Sequence, residues 1–325
     1  MRTRHGGVRW AYVLEASALP FLLVVLCVFF SLLPATSDTF PTMDNLRITI
    51  GAQAALTVIA MSALVPLICQ EYDFSVGSIA GLAAVFSASL LASGGSIIVA
   101  LGLSIGIGLA VGLVNGLLVT RLGVNSVVST LGTATLIAGV VALKTNGKSI
   151  VSGIPDELTD FVSGTWLGIP RGFYIAVIIS LGVWYLLRQT PWGRYLAAIG
   201  DNREAARLLG ANVKRRVLTA YLITGAVAGA AALLLIGDTG TASPQVGPGY
   251  TLPAIAAAFL SVAAIQPGRF NVWGTLVAIM FLGALNSGLN LAGANPYIND
   301  FANGGALILG VALASLLGRN RQQRV

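Results

Sequence analysis

Long apolar runs broken by short polar stretches dominate this chain. Ten are legible, at about residues 11–33, 46–70, 74–92, 96–120, 125–143, 171–188, 217–236, 250–266, 270–291 and 300–318. Each is roughly 17–25 residues long, the length an α-helix needs to cross a hydrocarbon core about 30 Å thick. The pattern predicts an all-α polytopic membrane protein, with one transmembrane domain over 1–325. The polar stretches, at most about 25–30 residues, leave no room for a soluble catalytic domain. The run at 11–33 follows Arg2, Arg4 and Arg9. It is longer than the roughly 7–15-residue core of a secretory signal, so a retained first helix is expected.

Composition agrees: 56% of residues are hydrophobic and 10% charged, against about 25% charged in soluble domains. The placement of charge orients the chain. Ten spans starting from an inside N-terminus put 15 of the 19 Lys and Arg residues on the inner side. Only Arg47, Lys144, Lys148 and Arg171 fall outside. The bias predicts cytoplasmic termini, a cytoplasmic tail at 1–10, a cytoplasmic loop at 189–216 and an extracytoplasmic loop at 144–170. It also accounts for the net charge of +7 without a nucleic-acid partner, because the basic residues flank apolar runs. The lipid bilayer is the expected surrounding. Trp10, Tyr12, Trp184, Tyr185, Trp192 and Tyr195 fall where interfacial aromatic belts are expected.

Candidate chemistry is sparse. Cys27 and Cys69 sit in apolar runs and His5 is the single histidine, so no disulfide, metal site or catalytic constellation is expected. Gly147-Lys148-Ser149 lacks the earlier glycine of a phosphate-binding loop and lies in the outer loop. The chain is therefore expected to be no enzyme, to bind no cofactor and not to hydrolyse ATP itself.

Two polar segments and a set of amides stand out. In the loop at 192–216, Asp201 or Asn202 can cap a short helix that Gly210 stops. Ala205, Ala206, Leu208 and Leu209 beside Arg203 and Arg207 give it an amphipathic character. Such a helix, tethered between two spans, suits either docking on a soluble partner or lying on headgroups. Asp73 and Ser75 open the third run, where an intramembrane carboxylate costs about 2.5–3.5 kcal/mol. They serve either as helix caps or in a solute pathway. Asn115, Asn125, Asn286, Asn290 and Asn295 lie in or beside spans. Neutral amides suit hydroxyl-rich neutral solutes, and equally suit hydrogen bonds between helices. Gly108, Gly112 and Gly116, like Gly225 and Gly229, recur every four residues and allow close helix packing. The openings of runs three and eight, and Asn115-Gly116 and Asn286-Ser287-Gly288 in runs four and nine, echo one another. Either the similarity is chance among apolar segments or segments 2–5 and 7–10 form an inverted pseudo-repeat. No span carries an acidic pair or a carboxylate–histidine relay, which weakens the alternative of a stand-alone secondary transporter or channel.

Taken in order, these motifs resemble the permeases of ribose/xylose/galactose-type ATP-binding-cassette importers. YDFSVGS at 72–78 is similar to the family's DLSVGS, and NGLLV at 115–119 with STLGT at 129–133 to its next signature. LGIP at 167–170 is similar to its outer loop. Residues 190–210 resemble its loop motif, and 244–257 and 268–291 its last two, so the likeness runs from about 50 to 318. Cys69-Gln70-Glu71 and the stretch 261–268 stand where the family usually carries glycines, marking a diverged member. The resemblance implies a location in the bacterial cytoplasmic membrane and a second permease subunit, identical or different. It also implies separate ATPase subunits that use ATP and Mg, and an extracytoplasmic solute-binding protein. On this likeness Asp201, Asn202, Glu204, Ala205, Ala206, Leu209 and Gly210 form the coupling helix. The solute implied is a monosaccharide or a related polyol, moved by alternating access.

Overall fold

The computed structural model describes residues 4–322, with side chains from 15 to 315. Trp10, Tyr12, His5 and the basic side chains at both ends lie outside those described. The helices run in order as α1 (Arg4–Leu32), α2 (Met43–Leu67), α3 (Val76–Ala92), α4 (Ile97–Thr120) and α5 (Ser126–Thr145). Then come α6 (Asp156–Ser163), the strands β1 (Thr165–Trp166) and β2 (Ile169–Pro170), and α7 (Arg171–Gln189). They are followed by α8 (Pro191–Asp201), α9 (Arg203–Leu208), α10 (Val213–Thr239), α11 (Val246–Leu260), α12 (Val272–Leu291) and α13 (Pro296–Gln322). Among the described residues nine helices are long and apolar enough to cross a membrane, and α3 is a shorter apolar tenth. These coincide with the ten runs.

Three boundaries differ from expectation. The first helix is already formed at Arg4, inside the expected tail. The eighth run begins at Val246 and carries Pro253 within it, ending in a 3-10 turn at Ser261–Ala263. The loop at 144–170 is also more structured than its composition indicates. In it α6 precedes a hairpin whose two turn residues, Leu167 and Gly168, both have positive φ, as a tight two-residue hairpin turn requires.

Helix starts follow local chemistry. Ser96, Asn125, Thr190, Asn202, Asn212 and Asn271 each accept a hydrogen bond from a first-turn backbone N–H, satisfying donors a helix otherwise leaves open.

The chain divides into two compact units. In the unit Ala54–Ala254 the glycine stripes predicted on α4 and α10 face each other. A Cβ on Gly108 would stand 2.0 Å from the Gly225 carbonyl oxygen, and one on Gly112 would stand 2.3 Å from that of Tyr221. Only hydrogen fits there. Helix α3 meets the start of α11 just as closely, through Gly77, Gly81 and Gly247. The unit Met1–Gln53 with Ile255–Val325 is built on α12, which packs Gly288 against Phe30 of α1 and Gly283 against Gln53 of α2. Ser287 donates to the Asn45 side chain at 2.7 Å. Asn271 ties down the 3-10 turn by donating to the Ser261 and Ala264 carbonyls at 2.8 and 3.0 Å.

At two places where the likeness led us to note missing glycines, the backbone keeps a glycine's conformation. Gln70 has φ 63° and Ile265 has φ 60°, in the left-handed region that side chains occupy at a cost.

Candidate functional site

The eight residues 68–75 join α2 to α3, and three independent parts of the unit converge on them. Pro66 lies in the last turn of α2, and its carbonyl accepts from the Cys69 and Glu71 amides, both at 3.0 Å. The chain thereby turns back on itself. Gly200 of α8 packs its backbone on Ile68, where a Cβ would lie 2.1 Å from the Ile68 carbonyl oxygen. Arg203, at the start of α9, pairs with the Glu71 carboxylate and reaches the Cys69 carbonyl at 3.4 Å.

The other end of the same segment enters a buried polar network. Asp73 accepts from the Ser75 amide at 2.8 Å and from its hydroxyl at 2.5 Å through one oxygen, Oδ1. Asn115 of α4 donates to the Ser75 hydroxyl at 2.9 Å, and its amide oxygen accepts from Thr133 of α5 at 2.7 Å. Ser126 and Thr130 of α5 accept from the Tyr72 and Phe74 amides at 3.3 and 3.0 Å. Tyr221 of α10 donates its hydroxyl to the Tyr72 carbonyl at 3.0 Å. Asp73 Oδ2 is buried and has no hydrogen-bond partner among the described residues. Burial pushes the Asp73 carboxyl up to about 6, against the lowering effect of its bonds from Ser75 and Asn115.

Of the expected pathway residues, Asp73, Ser75 and Asn115 thus come together. Asp73 does not serve as a helix cap. It makes a local turn to Ser75, which occupies the cap position without a side-chain cap bond. Asn125 caps α5, its side-chain oxygen accepting from Val127 and Val128. Asn286, Asn290 and Asn295 belong to the other unit. There Asn290 accepts from Asn299 at 2.8 Å, and Asn295 donates to the Tyr297 hydroxyl at 3.4 Å.

Sequence reasoning missed Ser126, Thr130 and Thr133. Their spacing of four and three residues, which puts them on one face of α5, was the available signal.

The loop at 189–216 is two helices, not one. Asp201 ends α8, and Asn202 caps α9 by accepting from Glu204 and Ala205 at 3.0 Å each. Gly210 turns the chain away with φ 84°. Ala206 is 3% exposed and packs inward within the chain. Leu208 and Leu209 are 88% and 78% exposed instead. The loop is pinned to α10 by Trp192, which donates to Thr219 at 2.8 Å, and by Arg216 over the Tyr195 ring at 4.9 Å. Among the described residues no cluster of three or more His, Cys, Asp or Glu is placed to hold a metal ion.

Ten apolar helices, a buried polar network and an exposed tethered helix define a multi-pass membrane permease. The chain belongs to the branched-chain amino acid transport system / permease component family, whose pattern matches residues 42–315. It is 34% identical to the autoinducer 2 import system permease protein LsrC of Photorhabdus laumondii over 287 residues, covering 88% of this chain and 86% of that one. It is 31% identical to the ribose import permease protein RbsC of Escherichia coli K12 over 304 residues, covering 93% and 94%. It is 34% identical to the RbsC of Bacillus subtilis 168 over 298 residues, covering 90% and 91%. No solved structure matches it significantly. Family membership sets aside a stand-alone secondary transporter or channel.

Proposed function

We propose that this permease sits in a bacterial cytoplasmic membrane with both termini inside and imports a monosaccharide or a related polyol. It works with separate ATPase subunits that use ATP and Mg, a second permease subunit and an extracytoplasmic solute-binding protein. The polyol reading rests on relatives named for ribose and autoinducer 2 import, and on a buried network built from neutral hydroxyl and amide groups around one carboxylate.

One observation carries the mechanism. The Glu71–Arg203 pair joins the exposed helix α9 to the same short segment whose Asp73 and Ser75 engage Asn115 and Thr133. A push on α9 from an ATPase would be transmitted through Arg203 to residues 68–75. From there it would reach the start of α3, where α4, α5 and α10 also converge. Rearranging that junction would expose the pathway to each side in turn. Asn202, Glu204, Leu208, Leu209 and Gly210 then form or shape the docking face, while Asp201, Ala205 and Ala206 hold it in place. The test is uptake of labelled D-ribose by proteoliposomes holding the permease, its ATPase and its binding protein. ATP-dependent accumulation is expected, and flux that is indifferent to ATP would overturn the proposal.

A further inference from the structure

The amides of α12 and α13 carry an inference that rests on the importer reading and goes beyond it. The two helices are joined by a short turn at 292–295 and pack on each other as a helical hairpin. Its register is fixed near the turn, where Asn299 of α13 donates to Asn290 of α12 at 2.8 Å. Continuing that register one helical turn further from the loop, four residues along each helix, puts Asn286 and Asn303 at the same level of the hairpin. The hairpin therefore carries two amide rungs about 6 Å apart, at ~1.5 Å of rise per residue. The rung nearer the turn is closed by its hydrogen bond. The deeper one is open: Asn286 Oδ1 and Asn303 Oδ1 are both buried without a hydrogen-bond partner among the described residues, as is Asn299 Oδ1 beside them.

Three unanswered amide oxygens in one short stretch of a membrane hairpin are costly unless something polar meets them. Packing does not account for them. Gly288, two residues and about 200° around α12 from Asn286, is the position that meets Phe30, so the Asn286 face is turned away from α1. Beside Asn303, a Cβ added to Gly304 or Gly305 would meet nothing within 4 Å. The rung thus borders an open glycine surface. Asn amides can rotate to present either oxygen or N–H, which suits a hydroxyl that both donates and accepts. They offer no formal charge to hold an ion.

We infer that Asn286 and Asn303 form a subsite for a neutral polyhydroxylated solute in the half of the membrane nearer the α12–α13 turn, with Asn290 and Asn299 as positioning residues above it. In the proposed orientation that is the extracytoplasmic half.

The test uses the full chain in lipid nanodiscs, probed with D-ribose, D-xylose, D-galactose and glycerol, with L-leucine as a control, by saturation-transfer NMR. At least one polyol is expected to bind the wild type, and Asn286→Leu or Asn303→Leu is expected to weaken it by about tenfold or more. Thr135→Val, whose exposed hydroxyl donates to the Leu131 carbonyl of its own helix, should leave binding unchanged. Leu matches Asn closely in volume, so a purely structural orphan amide would respond differently, with raised thermal stability and unaltered solute binding. That result, or no polyol binding by the wild type, would overturn the inference. ATP-dependent uptake that persists unchanged in both Leu variants sinks this subsite and leaves the importer reading standing. Loss of ATP dependence in the wild type sinks the importer reading itself.

Discussion

Arg203, the first residue of α9, bonds the Glu71 carboxylate across 132 residues of sequence. The Glu71 side chain is 8% exposed and that of Arg203 is 43% exposed, so the pair lies half in and half out of solvent. Removing Arg203 leaves a shielded carboxylate without its cation, at a cost of about 1–3 kcal/mol. That is less than the roughly 3–5 kcal/mol of a fully buried pair, because water reaches the arginine side. Arg203→Ala should therefore still assemble with the ATPase but hydrolyse ATP without moving solute. The double exchange Glu71→Arg with Arg203→Glu should recover part of the transport. Full transport by Arg203→Ala at equal membrane abundance would remove this link from the mechanism.

Asp73 gives the protein a pH dependence whose sign is fixed. Its carboxyl is raised by burial to about 6 in the fold, against about 3.9 in an unfolded chain. Between those values the folded state binds more protons than the unfolded one. The Asp73 contribution to stability is fullest below the unfolded value and is lost as pH rises through about 6. Asp73→Asn keeps the oxygen that accepts from Ser75 and removes the buried charge. The variant should melt at a higher temperature than wild type at pH 7.5, and the difference should shrink as pH falls to 4. Transport should drop, since a carboxylate kept at a stability cost marks a working position. Identical melting profiles across that range would refute the assignment.

The exposed face of α9 can be separated from its buried one. Leu208→Arg or Leu209→Arg should leave the melting temperature of the isolated permease within about 0.5 kcal/mol equivalent and abolish co-purification with the ATPase. Ala206→Arg should do the reverse in order of cause: with that position 3% exposed, the permease itself should misfold. If Leu208→Arg and Leu209→Arg both keep the ATPase bound, α9 does not dock through this face.

Ile265 holds φ 60° with a β-branched side chain, and its amide donates to the Ala16 carbonyl at 2.9 Å. Glycine removes the strain, worth about 1–2 kcal/mol, but returns roughly half to the unfolded chain's freedom. Ile265→Gly should raise stability by about 1 kcal/mol in a detergent melting series.

Much of the architecture was legible in the sequence because a bilayer imposes lengths. A span must be about 20 residues and apolar, and the ten runs show it directly. The glycine spacing on α4 and α10 foretold close packing, and the structure supplies the partner carbonyls of Gly225 and Tyr221. The β1–β2 hairpin was not legible. Leu167 occupies a left-handed turn position that its side chain gives no sign of accepting. The buried network was half legible: Asp73, Ser75 and Asn115 stood out as polar groups in apolar runs. Ser126, Thr130 and Thr133 did not, since hydroxyls inside helices ordinarily bond their own backbone four residues back. Thr130 and Thr133 do that as well as joining the network. The burial of Ala206 was not legible for a related reason, because composition gives a helix two faces without saying which one the rest of the chain covers.

The central claim is that an outside force on α9 is needed for solute to cross. It is tested most directly in proteoliposomes by measuring accumulation of labelled D-ribose with the ATPase present, with it absent, and with it present against Arg203→Ala. Accumulation that needs the ATPase and ATP, and that collapses in Arg203→Ala while ATP hydrolysis continues, is the predicted result. Solute flux through the permease alone, at a rate ATP does not change, would contradict it.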